Sequence, residues 1–155
     1  MKTFVSHSLD ETKEIAKGWL ATLRGGESAK VVGLSGTLGA GKTAFTQSLA
    51  GILGIEESVT SPTFVIMKIY PTKHPIFARM IHIDAYRLEE GRELASLGFE
   101  DIVADQRNMV VIEWPENVKE ILPTDTETIR FEVISDTERS LTFEKSFESI
   151  SDIKV

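Results

Sequence analysis

One segment of the chain has the residue types and spacing of a phosphate-binding loop. Residues 36–43 read Gly-Thr-Leu-Gly-Ala-Gly-Lys-Thr and satisfy G-x-x-x-x-G-K-[ST]. Glycines permit backbone torsions that side chains forbid, so successive N–H groups can point inward at phosphate oxygens. The amine of Lys42 can bridge the β- and γ-phosphates, and the hydroxyl of Thr43 can bind Mg²⁺. The spacing therefore predicts a site for a nucleoside triphosphate.

Two carboxylates compete for the role of the acid beside the metal. Such an acid usually ends a hydrophobic strand next to the loop strand, where it holds Mg²⁺ or orients the attacking water. Asp84 and Glu113 both follow apolar runs. The run before Glu113 is uniformly apolar, whereas Arg79 and His82 interrupt the run before Asp84. We expect at least one acid to serve, Glu113 to end the more central strand, and His82 to have no chemical role.

Two further segments near the predicted site are ambiguous by position alone. The residues Ser61, Pro62 and Thr63 follow the loop helix, where many nucleotide-binding proteins place a segment that senses the γ-phosphate. The same three residues also form an ordinary turn before a strand, which position alone favours. Trp114 is either a lid over the site or, as is commoner for a tryptophan after a core strand, part of the packing.

The elements that position these residues alternate helices and strands. A helical pattern runs from Ser8 to Arg24, with Ser8 and Glu11 as a capping pair. A buried strand at Lys30–Ser35 precedes the loop, and a helix at Lys42–Leu53 follows it. Further along we predict a hairpin (63–70 with 76–84), a helix (89–97), a buried strand (109–113) and a C-terminal hairpin (128–134 with 140–147).

These elements predict one α/β domain spanning residues 1–155. Helices intervene in the first half and hairpins in the second, so we expect a three-layer sandwich of the P-loop NTPase type. Its sheet is predicted to be mixed and partly parallel, and to end in the C-terminal β-hairpin.

Composition excludes several classes of site. The 155 residues are 41% hydrophobic and 26% charged, a globular composition, and they include no cysteine. Disulfides, zinc–cysteine sites and thiol nucleophiles are therefore excluded. The net charge of -7 argues against strong binding to a nucleic-acid backbone by the chain alone. The chain shows neither a signal-peptide core nor an apolar run of about 20 residues, so we expect a cytosolic protein without a membrane contact.

Four motifs in register resemble a known family. They are the loop at 36–43, Ser-Pro-Thr-Phe at 61–64, His-Ile-Asp-Ala-Tyr-Arg-Leu at 82–88 and Ile-Glu-Trp at 112–114. Their order and spacing are similar to those of the bacterial TsaE (YjeE) family, the small ATPase required for threonylcarbamoyladenosine modification of tRNA. The similarity covers nearly the whole chain, from the start of the first helix to the C-terminal hairpin.

The resemblance implies ATP and Mg²⁺ as cofactors and assigns roles to individual positions. It implies catalytic roles for Lys42, Asp84 and Glu113, and a metal site formed by the two acids together with Thr43. Ser61 and Thr63 would register the γ-phosphate. Further contacts with ATP would come from Glu11 and Thr12 near the base, and from Thr37, Leu38, Gly39, Ala40, Gly41, Lys42 and Thr43 in the loop. One departure is Thr37, where the family usually has aspartate.

The same resemblance implies protein partners. The chain would bind a heterodimer of the threonylcarbamoyl transferase TsaD and its partner TsaB, reset it by ATP binding and hydrolysis, and meet tRNA only through that complex. Its turnover in isolation would be slow, because no arginine finger or lid is recognisable. Two alternatives stay open: a P-loop kinase acting on a small metabolite, and a nucleotide-gated binding module in which hydrolysis is incidental.

Overall fold

The computed structural model describes residues 1–62 and 64–144. Thr63 and the residues from 145 onward lie outside the described part. The described elements, in chain order, are β1 (Lys2–Ser6), α1 (Leu9–Thr22), β2 (Lys30–Ser35), α2 (Lys42–Ile52), β3 (Met67–Pro71), β4 (Arg79–Asp84), α3 (Gly91–Ala95), α4 (Phe99–Ala104), β5 (Asn108–Glu113), a 3-10 helix (Pro115–Ile121), β6 (Glu127–Val133) and β7 (Arg139–Glu144).

The strands form one mixed sheet in the order β1-β7-β6-β2-β5-β4-β3. Its centre is parallel, because β2 pairs with both β6 and β5, and β4 pairs with β5 in the same direction. The strands β3, β7 and β1 are antiparallel to their neighbours. The carboxyl ends of parallel strands meet at one edge, which is where α/β sheets bind ligands. The loop after β2 and the ends of β4 and β5 therefore lie together.

Helices cover both faces of this sheet, and the predicted three-layer α/β architecture is confirmed. On one face, α1 and α2 pack against β2, β5 and β6 in a core that includes Trp19, Phe45 and Val111. On the other face, α3, α4 and the 3-10 helix cover a second core around Ile83 and Ile112. Among the helices that the structure describes, none is both long enough and apolar enough to cross a bilayer.

Several predicted boundaries were correct and others were wrong. The first helix starts as predicted, since the Ser8 side chain accepts a hydrogen bond from the Glu11 N–H at 3.1 Å. The predicted helix at 89–97 shortens to α3. Gly98, with φ of 85°, separates it from α4, which the sequence pattern did not predict.

The strand boundaries show the same mixture. In the first hairpin, strand structure begins only at Met67, so the prediction of strand from 63 was wrong within the described residues. The C-terminal hairpin is confirmed as β6 with β7, although its predicted residues 145–147 lie outside the described part. The edge strand β1 was missed, because its pattern is short and half polar and its pairing partner, β7, is at the far end of the chain.

A buried carboxylate ties α1 to the sheet. Glu127 is 3% exposed, accepts a hydrogen bond from Trp19 Nε1 at 2.9 Å and pairs with the Lys30 ammonium. Glu127→Ala leaves an indole N–H and a half-buried ammonium without their acceptor. We expect it to lower the free energy of unfolding by about 2 kcal/mol, measured by urea denaturation.

The control for this variant lies on the same strand. Glu132 is exposed and pairs with Arg130 at 3.6 Å, so Glu132→Ala should cost less than about 0.5 kcal/mol. Equal losses from the two variants would contradict a stabilising role for the buried network.

Candidate functional site

The segment between β2 and α2 has the backbone geometry of an anion-binding loop. Gly36 and Gly41 both adopt positive φ, at 148° and 110°, and the α2 helix starts directly after Gly41. A side chain at Gly36 would lie 2.6 Å from the backbone oxygen of Phe131, so the close approach of β6 requires glycine there. The predicted strand, loop and helix are thus in place, with the amino-terminal end of a helix aimed at the loop.

A cleft of about 430 Å³ opens over this loop. It is lined by the loop and first helical turn, by residues at and just after the ends of β4 and β5, and by one residue after α2. The lining residues are Leu38, Gly39, Gly41, Lys42, Thr43, Ala44, Ser61, Asp84, Tyr86, Glu113 and Trp114. Most of the predicted site residues therefore meet in one place.

Other predicted residues lie elsewhere. Ala40 is fully buried behind the loop, and Thr37 is exposed and lines neither this cleft nor its neighbour. Thr37 accepts a backbone hydrogen bond from Ala40 at 3.1 Å, so its contribution to the loop is made by its carbonyl. Thr63 lies outside the described residues.

The two competing acids belong to one cluster. The sheet register pairs Asp84 with Glu113 at the ends of β4 and β5. Ser61 Oγ lies 3.1 Å from Asp84 Oδ2 and 3.4 Å from Glu113 Oε2. The expectation that Glu113 ends the more central strand is confirmed, since β5 lies directly beside the loop strand β2. Ser61 thus contacts both acids, which a turn residue chosen only for its backbone would not need to do.

The expectation that His82 has no chemical role stays a prediction, but the structure places this residue against one of the two acids. Its ring is completely buried, and Nε2 lies 2.8 Å from Oε2 of Glu113. Sequence reasoning missed this contact because it treated His82 only as an interruption of an apolar strand. The contact could have been predicted from spacing, because His82 lies two residues before Asp84 on the same strand. Residues two apart on a strand project from the same face of the sheet, here the face that carries the loop.

Lys42 reaches across the floor of the cleft. Its ammonium donates to the Gly36 carbonyl at 2.5 Å and lies 3.7 Å from the ring centroid of Trp114. Burial lowers the pKa of the Lys42 amine, while the negative charge of Glu113 opposes that shift. A phosphate bound beside Lys42 would favour its charged form and could replace the carbonyl as acceptor.

The Trp114 ring packs over the Lys42 ammonium, and the backbone of Trp114 is strained. Its φ of 60° and ψ of 50° are in the left-handed region, which bulky residues seldom adopt. Its ring also contacts Tyr86, with centroids 5.1 Å apart. Trp114 therefore forms part of the cleft wall. Its position after a core strand favoured a packing role alone.

This placement predicts a fluorescence signal for nucleotide binding. The chain has two tryptophans, and Trp19 is fully buried, so only Trp114 borders the cleft. ATP that draws the Lys42 ammonium away from the indole should produce a saturable change in emission. Trp114→Phe should remove that change, while Trp19→Phe should retain it. A signal that follows Trp19 would place the ligand elsewhere.

A second cleft, of about 360 Å³, lies on the other side of the loop. The two clefts share loop residues, and the second one is closed by the start of α1 and the β6–β7 turn. Its lining is Ser6, His7, Ser8, Leu9, Thr12, Gly39, Gly41, Ala44, Asp136, Thr137 and Arg139. Thr12, for which the resemblance implies a place near the nucleobase, therefore lines this second cleft.

Glu11, by contrast, does not line that cleft. Its carboxylate accepts hydrogen bonds from the backbone N–H of His7 at 2.7 Å and from the His7 ring at 2.9 Å. The side-chain hydrogen bond to Glu11 raises the pKa of His7. In this structure the Glu11 carboxylate therefore binds His7 at the start of α1 and does not face the cleft in which the resemblance implies a contact with the base.

Residues 64–66, which precede β3, combine two exposed apolar side chains with one strained backbone position. Ile66 has φ of 67°, a rare conformation for a β-branched residue. Its carbonyl accepts a hydrogen bond from the Asp84 N–H at 2.8 Å, which joins the segment to the acid cluster. Phe64 and Val65 are 85% and 66% exposed, and the Arg87 guanidinium lies 5.0 Å from the Phe64 ring.

Comparison with known proteins gives a consistent result. Residues 6–141 match the family model "Threonylcarbamoyl adenosine biosynthesis protein TsaE". The chain is 35% identical to the tRNA threonylcarbamoyladenosine biosynthesis protein TsaE of Rickettsia bellii, over 87% of this chain and 89% of that protein. Identity to the protein of the same name from Bacillus subtilis is 38%, with coverages of 86% and 79%. The crystal structure of Bacillus subtilis YdiB superposes with a TM-score of 0.75 at 30% identity, covering 97% of this chain and 91% of that one.

Proposed function

Since the chain belongs to the TsaE family of threonylcarbamoyl adenosine biosynthesis proteins, we propose that it is a Mg²⁺-dependent ATPase required for threonylcarbamoyladenosine modification of tRNA. One observation carries the ATPase proposal. Lys42 and the acid pair Asp84 and Glu113 line the same cleft directly above a phosphate-binding loop. This is the arrangement that phosphoryl transfer needs, with a cation for the phosphates and carboxylates for metal and water.

The donor set of the cleft suits Mg²⁺. Mg²⁺ prefers oxygen ligands and is usually held by one or two carboxylates together with nucleotide phosphates and water. Among residues 1–62 and 64–144, no cluster of three or more His, Cys, Asp or Glu side chains is arranged to hold a metal by itself. That agrees with a metal bound mainly through the nucleotide. Thr43, Asp84 and Glu113 would hold Mg²⁺, whose charge would offset that of the phosphates.

The residues of the cleft divide the work of hydrolysis. The loop N–H groups and Lys42 bind the β- and γ-phosphates and stabilise the charge that develops as the reaction proceeds. Glu113 orients a water whose oxygen attacks the γ-phosphorus. The bond from that phosphorus to the bridging oxygen breaks, and ADP and phosphate leave. One proton of the water stays on the phosphate, and the other passes to solvent.

The proposal includes the TsaD–TsaB heterodimer as the partner. A chain with a net charge of -7 is a poor binder of RNA on its own, so contact with tRNA through a complex suits its composition. Leu38 and Tyr86 line the cleft and are exposed, and Phe64 is exposed with its ring 5.0 Å from the guanidinium of Arg87, the residue after Tyr86. Exposed apolar side chains of this kind commonly mark protein contacts, and two of these line the cleft that would hold the nucleotide.

Phosphate release from ATP tests both parts of this proposal. Purified protein is assayed alone and with the TsaD–TsaB pair, with and without Mg²⁺. We expect slow release by the chain alone, stimulation by the pair and loss of release without Mg²⁺. Phe64→Ser and Ile69→Ser form a matched set, because both side chains are exposed but only Phe64 belongs to the proposed contact surface. Stimulation should be lost in Phe64→Ser and retained in Ile69→Ser.

Three other outcomes would contradict part of the proposal. Release that ignores the pair would contradict the partner proposal and leave the ATPase proposal standing. Transfer of the γ-phosphate to a small acceptor, without release of free phosphate, would indicate a kinase. If ATP binding alone alters partner affinity and a hydrolysis-blocked variant still supports tRNA modification, the chain is a nucleotide-gated module.

A further inference from the structure

His82 is a buried polar side chain that the ATPase proposal does not use. The ring is 0% exposed, and the Glu113 side chain that it contacts is 5% exposed. Its neighbours on this face of the sheet are apolar, with Met80 on the same strand and Val111 beside it on β5. An apolar side chain would fill this position without the cost of burying a polar ring.

The two ring nitrogens of His82 have different surroundings. Nε2 lies 2.8 Å from Oε2 of Glu113. Nδ1 is buried and has no hydrogen-bond partner among the described residues. A carboxylate oxygen only accepts, so Nε2 must be the donor. A second N–H at Nδ1 would be buried without an acceptor, so the ring is the tautomer with its proton on Nε2.

The two oxygens of Glu113 differ in the same way. Oε2 faces His82 Nε2 and lies 3.4 Å from Ser61 Oγ. Oε1 has no protein hydrogen bond within the described ranges 1–62 and 64–144, yet it is not among the buried atoms that lack a partner. Because Glu113 lines the cleft, Oε1 is the oxygen left to face it. The hydrogen bonds to Oε2 thus select which oxygen the ligand meets.

We infer that His82 is a positioning residue: its Nε2–H holds Oε2 of Glu113 and thereby leaves Oε1 facing the cleft, where the attacking water and Mg²⁺ would bind. This inference rests on the proposed ATPase function. A free glutamate side chain samples several rotamers, and a buried hydrogen bond from the next strand selects one of them. Partners of this kind commonly change metal affinity or activity by about 10- to 100-fold when removed.

Variants that retain or remove the Nε2 donor test the inference. The amide nitrogen of glutamine lies near the position of histidine Nε2, so His82→Gln should retain Mg²⁺-dependent ATP turnover within about threefold. His82→Asn, whose amide is too short to reach Glu113, and His82→Leu should each lower turnover by about 10- to 100-fold. Met80→Leu on the same strand and face should leave turnover unchanged, and it controls for disturbance of β4.

A second readout separates positioning from general damage. Nucleotide affinity is measured by the Trp114 emission with and without Mg²⁺. His82→Leu should raise the Mg²⁺ concentration needed for half-maximal effect by about tenfold and leave Mg²⁺-free affinity unchanged. In the Glu113→Gln background, His82→Leu should have no further effect on Mg²⁺ dependence. Equal losses in both backgrounds, or an equal loss of Mg²⁺-free affinity, would show a structural role only.

The tautomer can be read without metal, nucleotide or turnover. Nitrogen-15 NMR of the wild-type imidazole rings should place the His82 proton on Nε2, with His82→Gln used to assign the signal. A proton on Nδ1 would overturn the inference, even if His82→Leu or His82→Asn failed to fold. Wild-type protein that does not hydrolyse ATP would overturn the proposed function instead. Normal wild-type turnover with undiminished turnover in folded His82→Leu would overturn the inference alone.

Discussion

Replacing Lys42 by alanine is expected to lower kcat/KM for ATP hydrolysis by about 1,000-fold. Lys42 is 4% exposed and lines the cleft, and the described lining includes no other lysine or arginine that could take its place. Its present acceptor is the carbonyl of Gly36, which a phosphate oxygen would replace. The measurement is phosphate release at saturating Mg²⁺ over a range of ATP concentrations.

The fold should tolerate this change, which makes the result interpretable. Removing a buried amine also removes its desolvation cost, so thermal unfolding of Lys42→Ala should stay close to that of the wild-type protein. Lys73→Ala is the matched control, because Lys73 is exposed, pairs with Glu56, and like Glu56 does not line the cleft. Turnover of Lys42→Ala equal to that of Lys73→Ala would show that the phosphates bind elsewhere.

Replacing Glu113 by glutamine is expected to separate ATP binding from hydrolysis. Glutamine has the size of glutamate, and its carbonyl can still accept from His82, so the buried cluster should remain packed. A neutral amide binds Mg²⁺ poorly and does not orient the attacking water as a carboxylate does. We expect hydrolysis to fall by about 1,000-fold, while ATP affinity without Mg²⁺ stays within about threefold.

Two comparisons define the role of this acid. Glu116→Gln removes an exposed carboxylate only three residues away that does not line the cleft, and its effect should be smaller than about twofold. Asp84→Asn removes the paired acid that Ser61 also contacts. Its rate of ATP hydrolysis shows whether Asp84, like Glu113, is needed to bind Mg²⁺ and orient the water. Hydrolysis by Glu113→Gln at the rate of Glu116→Gln would contradict the assignment of Glu113 as the acid that orients water.

The parts of the site that were predictable from sequence depend on local backbone chemistry. The loop needs glycine at positions such as Gly36 and Gly41, where φ is positive, and a strand before it and a helix after it. Both carboxylates follow strands whose apolar runs are visible in the sequence. Parallel strands end at a common edge, so the gathering of Lys42, Asp84 and Glu113 followed from the predicted α/β class.

What the sequence alone determined, then, is the loop, the helices and strands around it, the two acids and the family resemblance. The tertiary structure alone decided the place of β1, the presence of α4 after the predicted helix at 89–97, and the contacts of His82 and Trp114. These depend on which strands pair and in what register. That choice follows from how the two faces of the sheet bury their apolar side chains, and local propensities do not encode it. The His82–Glu113 hydrogen bond joins residues 31 positions apart, so it exists only once β4 and β5 are aligned.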